Sequence, residues 1–298
     1  MKQTFNTFSK KYLDDFQSYL LSHIQQASGT NLESSIDYSL SAGGKRLRPL
    51  LLLAVLESFN EEVELGFPAA AALEMIHTYS LVHDDLPAMD DDKLRRGRPT
   101  NHIEFNEATA ILAGDALLTL AFEVVVSGEL PAETKVHLTR LLAKTSGFEG
   151  MVGGQQADIA GEDANLSLEE IEHIHLRKTG ALIKMATVSG GRIANKSDEI
   201  LNKLARFADE VGIAYQIRDD ILDVVGTEEE LGKGVATDAA LGKSTYPSLL
   251  GLDGAFNALN SRLNEARAVV LEIKDLDPNF QPELLINFAD LLSLEEYQ

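Results

Sequence analysis

The chain has 298 residues and carries 26 Lys and Arg against 47 Asp and Glu, a formal net charge of −21. A chain this acidic repels phosphate backbones and anionic lipids, which excludes general binding to nucleic acids or membrane surfaces unless a local basic patch overcomes the field. The absence of cysteine excludes disulfides, thiolate catalysis and thiolate metal sites. The hydrophobic fraction of 44% is typical of a folded globular protein rather than a disordered one.

The first residues and the apolar runs of the chain predict neither export nor a membrane span. Residues 1–11 contain no apolar h-region, so no secretory signal is expected. The longest purely apolar run, residues 50–56, is far shorter than the roughly 20 residues that a membrane-spanning helix needs. The sequence therefore predicts a soluble, cytoplasmic protein.

Two short segments concentrate positive charge beside glycine in this acidic chain. Residues 43–49 read GGKRLRP, and residues 95–99 read RRGRP. Arginine offers paired hydrogen-bond donors, lysine offers a point charge, and glycine lets the backbone approach, so both segments are predicted to bind phosphate groups. The alternative is that these residues form salt bridges with the acidic clusters of the chain.

The first acidic cluster follows an apolar helical run at residues 73–82. Residues 83–92 read HDDLPAMDDD, which places five carboxylates close together. Like charges repel, so a folded chain keeps such a cluster on a solvated face or around cations. Pro87 disfavours helical geometry in the residue before it, so the helix is expected to end there and let Asp90 turn back toward Asp84. This arrangement of oxygen ligands suits Mg²⁺, and a solvated acidic loop is the alternative.

Apolar residues farther along recur at helical rather than alternating spacing. Residues 117–125 and 200–211 both follow the i, i+3/i+4, i+7 pattern of an amphipathic helix. Capping boxes at residues 167–170 and 227–230 predict two helix starts. No flexible linker, internal repeat or low-complexity tract divides the chain. We therefore predict one all-α domain over residues 1–298.

A second acidic cluster lies on a mostly apolar helix. Residues 216–223 read QIRDDILD, and Asp219 and Asp223 share one helix face because they are four positions apart. An unpaired cluster of charge on such a helix would be costly. Two carboxylate clusters and two basic segments in one chain predict a diphosphate substrate bridged to a metal ion. The chain has no P-loop, which disfavours an ordinary NTPase.

The order of these motifs resembles the trans-polyprenyl diphosphate synthases, and among them the bacterial farnesyl diphosphate synthases most closely. The resemblance runs from Gly43 to Pro247 and rests on several independent segments. These are residues 43–49, 84–90, 95–99, 153–155, 178–179, 216–223 and 242–247. It implies an all-α prenyltransferase (isoprenoid synthase) fold, in which helices surround a deep central cavity and the two acidic motifs face each other across its mouth.

The activity that the resemblance implies is the condensation of isopentenyl diphosphate with an allylic diphosphate, dimethylallyl or geranyl, to give farnesyl diphosphate. The allylic diphosphate ionises, the isopentenyl double bond attacks the allylic cation, and inorganic diphosphate is released. The family also implies a homodimer and about two or three Mg²⁺ ions in each active site.

The resemblance further assigns roles to the residues at matching positions. The Mg²⁺ ligands would be Asp84, Asp90 and Asp219, supported by Asp85, Asp220 and Asp223. The allylic diphosphate would be bound by Arg95, Lys178 and Lys233. The isopentenyl diphosphate would be held by Lys45, Arg48, His77 and Arg96. The remaining substrate-binding residues would be Thr179 and Gln216, beside the developing carbocation, and Lys243. The residues that would carry catalysis are Asp84, Asp85, Asp90, Arg95, Lys178, Asp219 and Asp220.

Product length is predicted from the residues that precede Asp84. On one helix, Ser80 lies one turn before Asp84 and Tyr79 about 7.5 Å before it, so a growing isoprenoid tail would pass both side chains. In the family an aromatic side chain at this place tends to block the cavity at fifteen carbons, which predicts farnesyl diphosphate as the main product. The alternatives are that Tyr79 is ordinary core packing and that His77 is a satisfied core histidine.

Three other functions share part of these motifs. A geranylgeranyl diphosphate synthase would have every charged motif and differ in cavity depth. A terpene cyclase would share one acidic motif, whereas the segment with Lys45 and Arg48 and the second acidic motif favour two diphosphates. A non-catalytic subunit of a heteromeric synthase would normally have lost Asp or Arg positions, and both acidic motifs are intact here.

Overall fold

The computed structural model describes residues 4–24, 30–162, 164–226 and 244–294. Helices dominate this part of the chain, and its only strands form a hairpin of β1 (Leu94–Arg95) and β2 (Arg98–Pro99). The helices are α1 (Phe5–Ser22), α2 (Asn31–Leu40), α3 (Leu47–Ser58), α4 (Phe67–Asp84), α5 (Asn101–Glu104), α6 (Glu107–Val124), α7 (Ala132–Ser146), α8 (Met151–Ala160), α9 (Leu168–His175), α10 (Ala181–Ile193), α11 (Asp198–Val225), α12 (Tyr246–Leu276) and α13 (Glu283–Asp290). A 3-10 turn, Val63–Gly66, precedes α4, and a π-helical turn, Leu176–Gly180, joins α9 to α10. The predicted all-α fold is confirmed.

Hydroxyl caps explain where several helices begin. The Ser167 side chain accepts a hydrogen bond from the Glu170 amide, and the Glu170 carboxylate accepts one from the Ser167 amide at 2.8 Å, so the capping box predicted at the start of α9 is confirmed. Ser197 caps α11 through the amide of Ile200. The other predicted capping box, residues 227–230, lies outside the described residues.

Helix α3 is a core helix, because it carries the longest apolar run of the chain. Every residue from 50 to 56 is at most 1% exposed. Burying one leucine side chain contributes roughly 1.5–3 kcal/mol, so the burial of this run stabilises the fold. Helix α3 packs against α4 and α10, and these helices pack in turn against α6 and α11. Within the described ranges, no helix is long and apolar enough to cross a membrane.

One cluster of buried apolar side chains extends from α1 to α13. A small second cluster, formed by Val82, Leu86 and Ala110, lies where α4 ends against α6. The organisation of residues 1–298 as a single domain stays a prediction. For function the important elements are α4, α8, the π-helical turn and α11, because they carry most of the residues that the sequence marks as candidates.

Candidate active site

A cavity of about 400 Å³ opens between α4, α8, the π-helical turn and the start of α10. Its lining combines charged groups with apolar side chains. The charged or ionisable side chains are Arg48, His77, His83, Asp84 and Lys178. The apolar and aromatic ones include Tyr79, Met151, Ile159 and Leu182. Tyr79 and Ser80, the residues predicted to limit product length, both lie in this wall. The cavity therefore offers one polar region and one region suited to a hydrocarbon chain.

The first acidic motif folds back on itself as the sequence predicts. Helix α4 ends at Asp84, and the amide of Asp90 donates a hydrogen bond to the carbonyl oxygen of Asp84 at 2.9 Å. Burial raises the pKa of Asp84 to about 6, and the charges of Asp90 and Asp85 add to that rise while Lys178 and Arg95 oppose it. Asp84 therefore lies in a partly desolvated site where a further cation would stabilise its charged form.

A short hairpin holds Arg95 against the acidic motif. Arg96 and Gly97 join β1 to β2, and both have positive φ values, 54° and 73°, as a tight two-residue hairpin turn requires. Nε of Arg95 donates to Oδ1 of Asp85 at 2.7 Å, and Nη2 of Arg95 lies 2.6 Å from the same oxygen. Asp85 is only 3% exposed, and burial raises its pKa, while the hydrogen bond and charge of Arg95 oppose that rise.

The other basic segment brings Arg48, His77 and Arg96 into one electropositive corner. Nη1 of Arg48 lies 3.4 Å from Nε2 of His77, and the Arg96 guanidinium donates to the carbonyl oxygen of Gly43. Burial, followed by the charges of Arg48 and Arg96, lowers the pKa of His77 well below its usual range, so the imidazole is neutral. His77 lines the cavity, which argues against a purely structural core histidine.

The basic residues divide between structural ion pairs and groups open to an anion. Arg46 is buried and pairs with Glu74, and Arg95 pairs with Asp85. In the described part of the chain, Nε of Arg48 is buried without a hydrogen-bond partner. Lys45 is exposed beside this corner in sequence. Arg46 and Arg95 thus form the salt bridges of the alternative interpretation, although 32% of the Arg95 side chain stays exposed, while Arg48 retains donor capacity for an anion.

The second acidic motif faces the first across a smaller cavity of about 190 Å³. Asp90 lines this cavity from the first motif, and Asp219 and Asp220 line it from α11. Gln216 and Lys178 also line it, and Lys178 lines the larger cavity as well. The structure therefore brings carboxylates of both motifs to one space, and Lys178 lines both that space and the larger cavity.

Within the second motif the three carboxylates differ in their surroundings. The Asp219 side chain is 42% exposed, with Nη1 of Arg218 at 3.8 Å from its Oδ1. Asp220 is buried, and its Oδ2 accepts a hydrogen bond of 2.9 Å from the amide of Tyr246 at the start of α12. Asp223 is also buried, one helical turn beyond Asp219. Asp219 is thus the most exposed carboxylate of this motif.

The π-helical turn positions Lys178 and Thr179. Nζ of Lys178 lies 2.6 Å from Oδ2 of Asp158 on α8. Oγ1 of Thr179 donates to Oε1 of Gln216 on α11 at 2.7 Å, so these two predicted neighbours of the carbocation do lie together. Single π turns inside helices often occur at functional sites, because the widened turn redirects side chains and backbone carbonyls.

Residues 30–274 match the family model described as Polyprenyl synthetase. The chain belongs to this family. It is 47% identical over 270 residues to the farnesyl diphosphate synthase of Bacillus subtilis (strain 168), with 90% of each chain covered. It is 45% identical over 251 residues to the geranylgeranyl diphosphate synthase of Cyanophora paradoxa, with 83% of this chain and 84% of the other covered.

A solved structure supports the same family for the fold. The geranyltransferase of Helicobacter pylori, complexed with magnesium and isoprenyl diphosphate, superposes with a TM-score of 0.82 at 33% sequence identity. The alignment covers 96% of this chain and 95% of that one. The predicted family and its helical prenyltransferase architecture are confirmed.

The donor set of this polyprenyl synthetase suits Mg²⁺ that is shared with a diphosphate. Across the described ranges, no three Asp, Glu or His side chains lie close enough together to enclose a metal ion by themselves. Mg²⁺ in phosphate chemistry is usually held by one or two carboxylates, with substrate oxygens and water completing the shell. Oxygen donors on two facing motifs, with Asp90 on one and Asp219 on the other, fit that pattern.

Several residues of the site were not predicted from the sequence of this polyprenyl synthetase. Asp158, the partner of Lys178, is the most important. A second group anchors the start of α12 beside Asp220: the hydroxyl of Tyr246 donates to Glu172 at 2.8 Å, and Arg262 bridges Glu172 and Glu210. The sequence feature that could have pointed to Asp158 is its position three residues after the motif at 153–155.

Two predicted substrate ligands, Lys233 and Lys243, lie outside the described residues.

Close approach at Gly154 fixes the position of Lys178. A Cβ at Gly154 would overlap the backbone nitrogen of Lys178 and come within 2.7 Å of its Cα. We expect Gly154→Ala to lower the free energy of unfolding by about 2 kcal/mol, because α8 and the π-helical turn must separate. Denaturant unfolding followed by circular dichroism measures the change.

Gly180→Ala is the matched control, since a Cβ there would meet its nearest neighbours at ordinary distances of 3.6 Å or more. Its unfolding free energy should stay within about 1 kcal/mol of the parent chain. Equal effects from the two alanines would contradict the packing described at Gly154.

Proposed function

We propose that this polyprenyl synthetase condenses isopentenyl diphosphate with dimethylallyl and then geranyl diphosphate, in a Mg²⁺-dependent reaction, to give farnesyl diphosphate. The observation that carries the proposal is the pair of acidic motifs lining one cavity with Lys178, which also lines a larger, partly apolar cavity. A diphosphate bound between the motifs would place its hydrocarbon tail in the larger cavity. The names and sequence identities of the relatives support the same activity.

The residues that would hold Mg²⁺ are Asp84, Asp90 and Asp219, with Asp85, Asp220 and Asp223 in support. When bound, the metal supplies positive charge that neutralises the departing diphosphate as the allylic C–O bond breaks. Asp85 acts chiefly through Arg95, because their ion pair orients the guanidinium. Asp220 acts chiefly by its hydrogen bond to the start of α12.

Lys178 and Arg95 would bind the allylic diphosphate directly. Nζ of Lys178 contacts Asp158 and can donate three hydrogen bonds, so it can keep that contact while it binds a phosphate oxygen. Both groups are held by carboxylates of the chain itself, Lys178 by Asp158 and Arg95 by Asp85. Preorganised charges of this kind stabilise developing negative charge without reorganising during the reaction.

The electropositive corner would hold the isopentenyl diphosphate. Arg48 and Arg96 supply the charge, and neutral His77 orients Arg48. Lys45 is exposed and lies three residues before Arg48 in the sequence. A second diphosphate at this corner would bring its alkene toward the cavity that Asp84 lines. Two separate anion sites favour condensation over the cyclisation of a single diphosphate.

The groups beside the reacting carbons would be Thr179 and Gln216. The Thr179 hydroxyl donates to Gln216, which leaves the hydroxyl lone pairs able to face the positive charge of the allylic cation. After the new C–C bond forms, the released diphosphate would accept the proton that is lost. No side chain needs to act as nucleophile or general base.

Incorporation of labelled isopentenyl diphosphate tests the proposed function. Purified protein is incubated with dimethylallyl or geranyl diphosphate, with Mg²⁺ or with a chelator. We expect label in a C15 product with either allylic substrate, and none when the chelator removes the metal. Absence of incorporation, or incorporation that the chelator leaves unchanged, would overturn the proposal.

Tyr79 is proposed to stop elongation at fifteen carbons. Its side chain is 6% exposed, lines the cavity and lies on the helix that ends at Asp84. Burial raises the pKa of Tyr79 to about 12, so the phenol is neutral and acts as a bulky wall. We expect Tyr79→Ala to make products of twenty or more carbons the main ones, because removing the ring opens a path for the tail.

Chromatography of the dephosphorylated products gives the length distribution. Tyr19→Ala is the control, because Tyr19 packs on Phe67 and His23 away from the cavity and should leave the product length unchanged. If the parent chain already makes mostly a C20 product, the proposed activity is that of a geranylgeranyl diphosphate synthase, as one relative is named, and not that of a farnesyl diphosphate synthase. An unchanged product length in Tyr79→Ala would show that Tyr79 does not limit elongation.

A single domain and a cytoplasmic location, as the sequence predicts, and a homodimer, as the family resemblance implies, complete the proposal. Light scattering of the purified chain on a sizing column tests the dimer.

A further inference from the structure

The ring of Tyr79 is held in place by a histidine one turn later on the same helix. Tyr79 and His83 are four residues apart on α4, so they share a face. Their ring centroids lie 5.8 Å apart with an angle of 77° between the planes, an edge-to-face contact. Both side chains line the larger cavity.

His83 is in turn held by α6, the neighbouring helix. Nε2 of His83 lies 3.0 Å from the carbonyl oxygen of Ile111, at hydrogen-bond distance. The imidazole also fits against the backbone of Gly114: a Cβ at that position would overlap Nε2 and Cδ2 and come within 2.7 Å of Cε1. Only glycine leaves this recess open, so Gly114 on α6 determines where the His83 ring can lie.

We propose that His83, positioned by Gly114, sets product length by holding the Tyr79 ring across the cavity. This inference rests on the proposed function, in which Tyr79 limits elongation. A tyrosine side chain on a helix has more than one staggered rotamer. A growing hydrocarbon tail would favour any Tyr79 rotamer that leaves more of the cavity open to it. The edge-to-face contact opposes that rotation, because a turned Tyr79 ring would lose its imidazole neighbour.

The contact is not needed to join α4 to α6. Helix α6 has its own buried apolar residues, including Ala113, Leu117 and Ala121. Val82, Leu86 and Ala110 form a further apolar cluster next to His83 in sequence and space. His83 is therefore a positioning residue that acts through Tyr79, and its removal should change product length more than it changes folding.

His83→Ala is the first test. We expect the ratio of C20 to C15 product to rise about fivefold, the factor that corresponds to the loss of one edge-to-face aromatic contact. The ratio is measured within a single reaction, so a fall in overall rate next to Asp84 cancels. His137→Ala, an exposed histidine on α7, is the control and should leave the ratio unchanged.

Combined variants separate action through Tyr79 from any independent effect. In the Tyr79→Ala background, His83→Ala should leave the length distribution unchanged, because no ring remains to be held. Gly114→Ala should alter the distribution of the parent chain, since it expels the imidazole from its recess, and should be silent in the His83→Ala background.

Three outcomes would overturn the inference: an unchanged C20 to C15 ratio in His83→Ala, a further increase in length on adding His83→Ala to Tyr79→Ala, or an effect of Gly114→Ala that persists without His83. Failure of the proposed function would look different, as either no prenyl product from the parent chain or no change of length in Tyr79→Ala alone.

Discussion

Replacing Asp84 with asparagine is expected to lower kcat/KM for the condensation by about a thousandfold, which corresponds to about 4 kcal/mol of transition-state stabilisation. The substitution keeps the size of the side chain and removes its charge. Asp84 lines the larger cavity together with Lys178. Burial raises the pKa of Asp84, so a bound cation would stabilise its charged form. Without that charge, Mg²⁺ would be held less firmly at the place where the leaving diphosphate gains further negative charge.

Steady-state kinetics at saturating Mg²⁺ measures this loss. Asp253→Asn is the control, because Asp253 lies exposed on α12 and its change should alter kcat/KM by less than about twofold. Circular dichroism of both variants checks that they fold. A loss below about tenfold in Asp84→Asn would show that this carboxylate does not hold the catalytic metal.

Lys178→Ala is expected to lower kcat/KM by about a hundredfold, the effect of removing one preorganised donor to developing negative charge. Lys178 lines both cavities. The loss should fall mainly on kcat, because the interaction strengthens as the diphosphate departs. The affinity for isopentenyl diphosphate should stay close to that of the parent chain, since its proposed site is formed by Arg48 and Arg96.

The chain offers a close control for this lysine. Lys184 lies on α10, the continuation of the same helix, and forms a comparable ion pair with Asp209 at 2.7 Å, but it lines neither cavity. Lys184→Ala should therefore leave kcat/KM within about twofold of the parent value. Equal losses from the two substitutions would mean that Lys178 matters for folding rather than for the diphosphate.

The parts of the site that depend on local sequence could be predicted. Pro87 forces the first acidic motif to turn, and the resulting hydrogen bond from Asp90 to Asp84 is present. The spacing of Asp219 and Asp223 fixes them on one helix face. The apolar run at residues 50–56 becomes a core helix for the same local reason, since no position in it can face water without cost.

The parts that depend on helix crossing could not be predicted. Asp158 meets Lys178 only because α8 crosses the π-helical turn at Gly154, and no local pattern predicts that turn. The contact between Asp220 and Tyr246 likewise joins residues far apart in the chain. The charge pattern of the sequence also did not show which arginines form ion pairs. Arg95 pairs with buried Asp85, whereas Nε of Arg48 has no hydrogen-bond partner within the described residues.

The proposed reaction requires the two acidic motifs to hold one diphosphate between them through Mg²⁺. Isothermal titration calorimetry with an allylic diphosphate analogue, whose bridging oxygen is replaced by sulfur so that it ionises slowly, measures this binding directly. Binding should require Mg²⁺, should weaken by at least about tenfold in Asp84→Asn and in Asp219→Asn, and should weaken little further in the double variant, because both carboxylates act on one metal–diphosphate unit. Binding of equal strength without Mg²⁺, or unchanged in either single variant, would contradict the account.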